Sequence, residues 1–307
     1  MKDSEIIFDY IIYHKGCYDG YGAFVSLLLS KRTTKNPYVY PDYPGQKKLP
    51  PNIKNKNVII MDVAYMPELV KKISEIANVV YFIDHHDTIA NDIVNLKLKK
   101  PNKVIYDINK SGASLVWDTF HPNEDRPLII DLIEDNDLGK WKDERTHWLY
   151  SLFDVEYNTE ANNDSFNKMK LLFDNDNLMP KLIEGRYYYK YKKYLIDKNA
   201  SRYSTAMFPS KKLVDKGYFK KKHQYKVAVT DSICPSISLV GKAINDNTKL
   251  DFVALYYFKP FKDITVVSLR SNNTDIGSIA KIMGGGGHKQ AAAFTFNGKI
   301  NDLFDFI

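Results

Sequence analysis

The stretch VVYFIDHHD, residues 79–87, runs an apolar segment into four consecutive ionisable side chains: Asp84, His85, His86 and Asp87. Such groups are costly to bury and repel one another when crowded, so clustering them requires water or a cation. Metal ligation is the chemistry this pattern favours. Three other segments carry matching side chains. In IIYHKGCYDGYGAF (11–24), His14, Cys17 and Asp19 fall within six residues on a strand-to-helix turn, before Gly20 and Gly22 open a helix. Imidazole, thiol and carboxylate at that spacing can converge on one ion; the segment reads equally well as a polar turn with Cys17 as a small buried hydrophobe. In VIIMDVAY, Asp62 interrupts a buried strand, as a cap or turn former also would. In LIIDLIEDNDLGKW, Asp135 and Asp137 end an apolar helix, where negative charge opposes the helix dipole unless a cation answers it.

The elements that must position these groups alternate. Residues 6–14, 58–64, 79–84 and 103–107 read as strands, and 21–32, 67–77, 111–120 and 127–135 as helices. The alternation predicts an α/β fold: a mostly parallel, Rossmann-like sheet flanked by helices, with ligands at the carboxyl ends of the strands. The clusters at His14, Asp62 and Asp84-His85-His86 fall at such an end. Residues 158–176 are Asn- and Asp-rich with weak periodicity, and 180–199 read as a helix with Pro180 in its first turn. Tyr187, Tyr191 and Tyr194 share one face of that helix, which reads as a packed seam or, alternatively, as an aromatic and basic ledge for bases and phosphates. From 201 onward, strands at 225–229, 252–257, 265–270 and 291–296 mix with helices at 236–245 and 275–283, enough for a second, smaller mixed α/β domain. The expected division is 1–157, a linker over 158–200 including the long helix, and 201–307.

With 44% hydrophobic and 26% charged residues in 307, the chain has the balance of a water-soluble globular protein and not that of a fibre or a disordered tail. Its apolar runs are far too short to span a bilayer and its start carries charges where a signal peptide needs an apolar block, so an intracellular, cytoplasmic protein with no membrane partner is expected. Two cysteines, Cys17 and Cys234, cannot build a disulfide framework or a four-cysteine zinc site. A net charge of +7 tilts the expected partners toward polyanions. Near the end, residues 275–283 place Ile276, Ile279, Ala280 and Met283 on one stripe, with Thr274 as the expected N-cap and Gly284 as a left-handed C-cap. The four glycines 284–287 exceed what capping needs. Bare backbone N–H groups there can approach a phosphate or base edge, with His288 and Arg270 as added donors; the alternative is a flexible hairpin connection.

The ordered series His14-x-x-Cys17-x-Asp19-Gly20, Asp62, Asp84-His85-His86 and Asp135 resembles the four motifs of the DHH phosphoesterase superfamily, and SLRSNNTDIGSIAKIMGGGGHKQAAAF (268–294) is similar to the glycine-rich signature of the DHH-associated C-terminal domain. The two together span nearly the whole chain. The resemblance implies two divalent ions, by family habit Mn²⁺: one held by His14 and Asp62, the other by Asp19, Asp62, His85 and Asp135, with Asp62 bridging. Cys17 stands where the family usually has an Asp, a softer ligand than Mn²⁺ prefers. Asp137 is the alternative to Asp135. In this scheme His86 donates to the scissile phosphate and Asp84 orients an imidazole. Arg270, Ser271, Gly285, Gly286, Gly287 and His288 would bind the nucleotide, with Ala293 in place of the family's usual Gly. The implied function is a metal-dependent phosphodiesterase that cuts short single-stranded RNA or DNA, or dinucleotides, to mononucleotides. Alternatives are a phosphomonoesterase of adenosine bisphosphate or polyphosphate type, and a catalytically inactive nucleic-acid-binding module. A homodimer is compatible with the resemblance.

Overall fold

The computed structural model describes residues 6–220, 224–231 and 236–307; Cys234 lies outside them. The chain divides into two compact units, 1–189 and 190–307.

In the first unit the order is β1 (Phe8–His14), α1 (Tyr18–Leu29), β2 (Thr33–Asp42), β3 (Asn57–Met61), α2 (Pro67–Ile76), β4 (Val79–Asp84), α3 (Ala90–Ile93), β5 (Lys103–Tyr106), α4 (Gly112–Phe120), α5 (Leu128–Asp137), α6 (Glu144–Glu156), α7 (Asn163–Leu171) and α8 (Asn175–Ala200), which continues into the second unit. The five strands form one parallel sheet in the order β2-β1-β3-β4-β5. Parallel strands covered on both faces need apolar side chains pointing both ways. Strand β4 meets this demand, buried at all six positions. Ile11 and Tyr13 pack on the face shared with α1, α4 and α5, while Tyr10 and Ile12 face α2 and α3.

Three elements of this unit, β2, α6 and α7, were not legible, and a fourth, α8, begins earlier than expected. Strand β2 is a polar edge strand containing Pro37 and Pro41, residues that an outer strand tolerates and a central one does not. Helix α6 follows directly on the turn after α5, capped by Asp143, which accepts from Arg145 N. Helix α7 buries only Ser165 and Met169, too few apolar positions to announce a period. Helix α8 starts five residues before Pro180, because Asp174 accepts from Asp176 N and its carbonyl from Leu178 N. The 158–200 segment thus carries α7 as well as the expected long helix, and α8 up to Tyr189 clusters with the first unit.

The second unit adds β6 (Ser204–Phe208), α9 (Lys211–Asp215), β7 (Tyr225–Asp231), α10 (Ile237–Asn247), β8 (Phe252–Lys259), β9 (Ile264–Arg270), α11 (Ile276–Ile282), β10 (Gly286–Gly287), β11 (Ala291–Asn297) and β12 (Asp305–Phe306). They build a seven-stranded mixed sheet, β10-β11-β9-β8-β7-β6-β12, in which only β7 and β8 pair in parallel. Helix α11 packs on one face through Ile276, Ile279 and Ala280, and α10 on the other through Val240 and Ile244. The N-cap of α11 is Asp275, accepting from Ser278 N, and not Thr274, whose hydroxyl donates to Asp251 O. Gly284 has the expected left-handed φ of +78°.

Candidate metal centre

Three neighbouring strands, β1, β3 and β4, release their chains at the carboxyl edge of the parallel sheet, where open α/β sheets place ligands. His14 is the last residue of β1, Asp62 follows β3, and Asp84-His85-His86 closes β4. Asp62 has a left-handed φ of +60°, a conformation Asp adopts more readily than most residues, and its N–H still donates to Ile83 O at 2.9 Å. Asp19 arrives from the first turn of α1. Gly20 lets that turn close on the strand, since a Cβ there would fall 2.7 Å from His14 Cβ.

The Asp19 carboxylate is cradled by the start of α4: Gly112 N–H donates to Oδ2 at 2.6 Å and Ala113 N–H to Oδ1 at 2.8 Å. A Cβ on Gly112 would meet Asp62 Cβ at 2.6 Å and Asp19 Oδ2 at 3.0 Å, so only glycine allows two carboxylates to approach here. His85 Nε2 is ringed by Asp62 Oδ1 at 3.1 Å, Asp137 Oδ2 at 3.2 Å and Asp19 Oδ2 at 3.5 Å. His14 Nδ1 lies 3.4 Å from Asp62 Oδ2. Ligand-type atoms of His14, Cys17 and Asp62 form one compact group, those of Asp19, His85 and Asp137 another, and those of Asp62, His85 and His86 a third.

One imidazole N–H cannot satisfy three carboxylate oxygens. Among the described residues, His14 Nδ1, Asp62 Oδ2 and Asp137 Oδ2 are buried without a hydrogen-bond partner, a rare and costly condition in a folded protein. Burial, then the nearby Asp62 and Asp137, drives the Asp19 carboxyl well above the usual carboxylate range. Burial also raises Asp137, and burial with Asp62 and Asp19 raises the Cys17 thiol. Asp62 goes the other way: burial opposes ionisation, but His14, His85 and His86 outweigh it and lower its pKa to about 2. Three carboxylates crowded with three imidazoles, and three of their buried atoms left without a partner, fit divalent cations, whose positive charge would offset the repulsion among the carboxylates.

His86 is held differently. Asp84 Oδ1 accepts from His86 Nδ1 at 2.8 Å, from His85 N–H at 2.7 Å and from His86 N–H at 2.9 Å, while Oδ2 takes Ala64 N–H at 2.6 Å. The carboxylate therefore orients one imidazole and both backbone amides of the turn.

No protein-family model matches the chain. An uncharacterized protein of Acanthamoeba polyphaga mimivirus is 26% identical over 306 residues, covering 94% of this chain and 68% of that one. A structure of the exonuclease RecJ bound to manganese superposes with a TM-score of 0.46 at 16% identity, over 93% of this chain and 85% of the other. The pGpG-specific phosphodiesterase PggH of Vibrio cholerae superposes with a TM-score of 0.56 at 16% identity, over 95% of this chain and 94% of that one. The chain shares the fold of this phosphodiesterase.

Within this fold, Asp137 and not Asp135 faces the cluster. Two residues apart on a helix means roughly 200° of rotation, so only one of the pair can point at the sheet edge. Asp135 turns into the connection to α6, accepting from Lys142 N at 2.9 Å, Asp143 N at 3.3 Å and Thr146 Oγ1 at 2.7 Å. These bonds hold its carboxyl below the usual range despite its burial. Two further participants had no sequence signal strong enough to single them out: Gly112, and Tyr150 on α6, whose phenol is kept protonated by burial and by neighbouring Asp19, Cys17 and Asp137.

In the second unit, the glycine segment forms strand β10 at the sheet edge. Gly285 and Gly287 are needed for close packing, since a Cβ on either would fall 2.1 Å from Ala293 O or 2.5 Å from Ala291 O. Gly286 alone of the β10 pair faces open space. His288 N–H donates to Ala291 O. Ser271 is buried, and its hydroxyl donates to Asp251 O and accepts from Asn273 N and Thr274 N, so it organises a turn. Arg270 leans on α10, with Nη2 donating to Ser238 Oγ at 3.0 Å and Nη1 to Leu269 O at 2.7 Å.

Proposed function

We propose that this chain is a divalent-metal-dependent phosphodiesterase acting on short single-stranded oligonucleotides or dinucleotides and releasing mononucleotides. The observation that carries the reading is a set of buried side-chain atoms without a hydrogen-bond partner at the edge of a parallel sheet: His14 Nδ1 and Asp62 Oδ2, 3.4 Å apart, and Asp137 Oδ2, 3.2 Å from His85 Nε2. His14, Asp62 and Cys17 would hold one cation, and Asp19, Asp62, His85 and Asp137 a second. Bound there, two divalent ions would neutralise a phosphodiester and favour both attack by water and departure of the leaving oxygen. Mn²⁺ suits the imidazole and carboxylate donors, and the thiol of Cys17 is the one soft donor in the set.

The chain's own groups supply the rest. Asp84 fixes His86 through Nδ1, and in the imidazolium form that this carboxylate favours, Nε2–H is the donor left for a phosphate oxygen. Asp19 is held by the α4 amides and cannot rotate away when charge changes nearby. The basic character of the chain, +7 overall, favours a polyanionic substrate. Arg270, Gly286 and His288 are proposed contacts for its nucleotide end, whereas Ser271 would act through the turn it organises. Support for a dinucleotide-sized substrate comes from the full-length likeness to the Vibrio phosphodiesterase fold. The test is incubation with Mn²⁺ and a panel of two- to five-nucleotide RNAs, cyclic dinucleotides and adenosine 3′,5′-bisphosphate. Mononucleotide release that is lost in both His85→Ala and Asp62→Ala is expected. Inorganic phosphate as the first product would replace this reading with a phosphomonoesterase.

A further inference from the structure

Helix α8 does not use its tyrosines as the packed seam that their spacing suggested. Tyr191 and Tyr194 are 66% and 57% exposed, and Tyr187, one turn earlier, is 67% exposed. The helix packs through other positions: Tyr188 donates to Glu156, Tyr189 stacks on His147 at 5.0 Å, and Ile196 is buried against Ala228 and Val240. At roughly 100° per residue, Tyr191, Tyr194 and Lys198 fall on the side opposite Tyr189 and Ile196. The Tyr191 and Tyr194 rings lie within 25° of parallel with centroids 6.5 Å apart, and Lys198 Nζ sits 5.7 Å from the Tyr194 centroid.

We propose that this face of α8 is a binding ledge for single-stranded nucleic acid, with Tyr191 and Tyr194 stacking bases and Lys198 contacting the backbone. Large aromatic rings on a helix face are ordinarily buried, and a row of them in water beside cations is the combination that sequence-tolerant single-strand binders use. Charge complementarity selects the occupant. Between residues 186 and 198 stand Arg186, Lys190, Lys192, Lys193 and Lys198 against one acid, Asp197, and that acid is tied to Lys193 at 3.3 Å. A second copy of the same helix would bring these like charges face to face, which disfavours a dimer seam. The ledge does not depend on metal or cleavage, so it stands or falls separately from the hydrolase reading.

The test is fluorescence anisotropy of a labelled oligouridylate titrated with the full chain in chelator. The double variant Tyr191→Ala/Tyr194→Ala is expected to weaken binding at least about thirtyfold, the low end for two stacked bases. Tyr191→Phe/Tyr194→Phe, which keeps both rings, should bind like the unaltered chain, and Lys198→Gln should reduce the salt slope by about one. Unchanged affinity in the alanine pair overturns the proposal, as does equal loss in the phenylalanine pair. Sedimentation that shows the unaltered chain dimeric and the alanine pair monomeric, with oligouridylate affinity the same in both, also overturns it.

Discussion

Asparagine substitutions at Asp135 and Asp137 should fail in opposite ways, and the difference can be worked from the geometry. Asp135 accepts three hydrogen bonds from the α5–α6 connection, two of them from backbone N–H groups. Asp135→Asn keeps the shape but removes the charge and turns one acceptor into a donor facing a donor. Weakened charge-assisted bonds of this kind cost about 1.5–3 kcal/mol. For a unit of 189 residues that lowers the melting temperature by roughly 3–12 °C. Metal affinity should be nearly unchanged, because the carboxylate points away from the cluster. Asp137→Asn instead removes one of three carboxylates crowded on His85. Two unit charges about 4 Å apart repel by about 4 kcal/mol at an effective dielectric constant of 20. Asp19 already resists ionisation, and the His85 pairing at 3.2 Å is lost as well, so the net change in metal-free stability is near zero. Its metal affinity should fall at least a hundredfold, more than the loss typical of groups that merely support a ligand. Calorimetric unfolding in chelator and Mn²⁺ titration read the two effects independently. Weak Mn²⁺ binding by Asp135→Asn with an unaltered melting temperature would refute the assignment, as would full affinity in Asp137→Asn.

Further outcomes follow from the same cluster. Gly112→Ala puts a methyl 2.6 Å from Asp62 Cβ, so Mn²⁺ affinity should fall about 10–100-fold and unfolding should come earlier; a variant that titrates like the unaltered chain would show that the close approach is unimportant. Asp84→Asn frees His86 Nδ1 and should reduce turnover about 10–100-fold while Mn²⁺ stoichiometry is kept, measured by single-turnover kinetics beside metal analysis. In the metal-free chain, burial depresses His85, but its bond to Asp62 and the charges of Asp19, Asp62 and Asp137 outweigh this and raise its pKa from 6.5 to about 9. Stability from this raised value is fully present below about pH 6.5 and is lost as pH rises through about 9. Metal must displace that proton, so affinity should climb with pH over the same window. Titration calorimetry in two buffers of different ionisation enthalpy counts the protons released, and a count of zero at pH 7.5 would contradict the mechanism.

Much of this protein was readable along the chain. Apolar runs of strand length alternating with helical stripes specify a parallel sheet, and His14, Asp62 and Asp84-His85-His86 each end such a run, so their meeting at one sheet edge follows from topology. What tertiary structure decided were matters of rotation and approach. Asp135 and Asp137 have the same chemistry, and only the angle at which α5 docks on the sheet aims one inward and the other at Thr146. Gly112 carries no local signal of its role, which appears only where the fold brings Asp19 and Asp62 against it from 93 and 50 residues away. The tyrosines of α8 had a periodicity that packing would explain, yet neighbours cover the opposite face. Local sequence encodes period, caps and turn chemistry because these act over a few residues. Which side of a helix meets which partner depends on the summed burial of distant segments, and no short stretch of chain contains that sum.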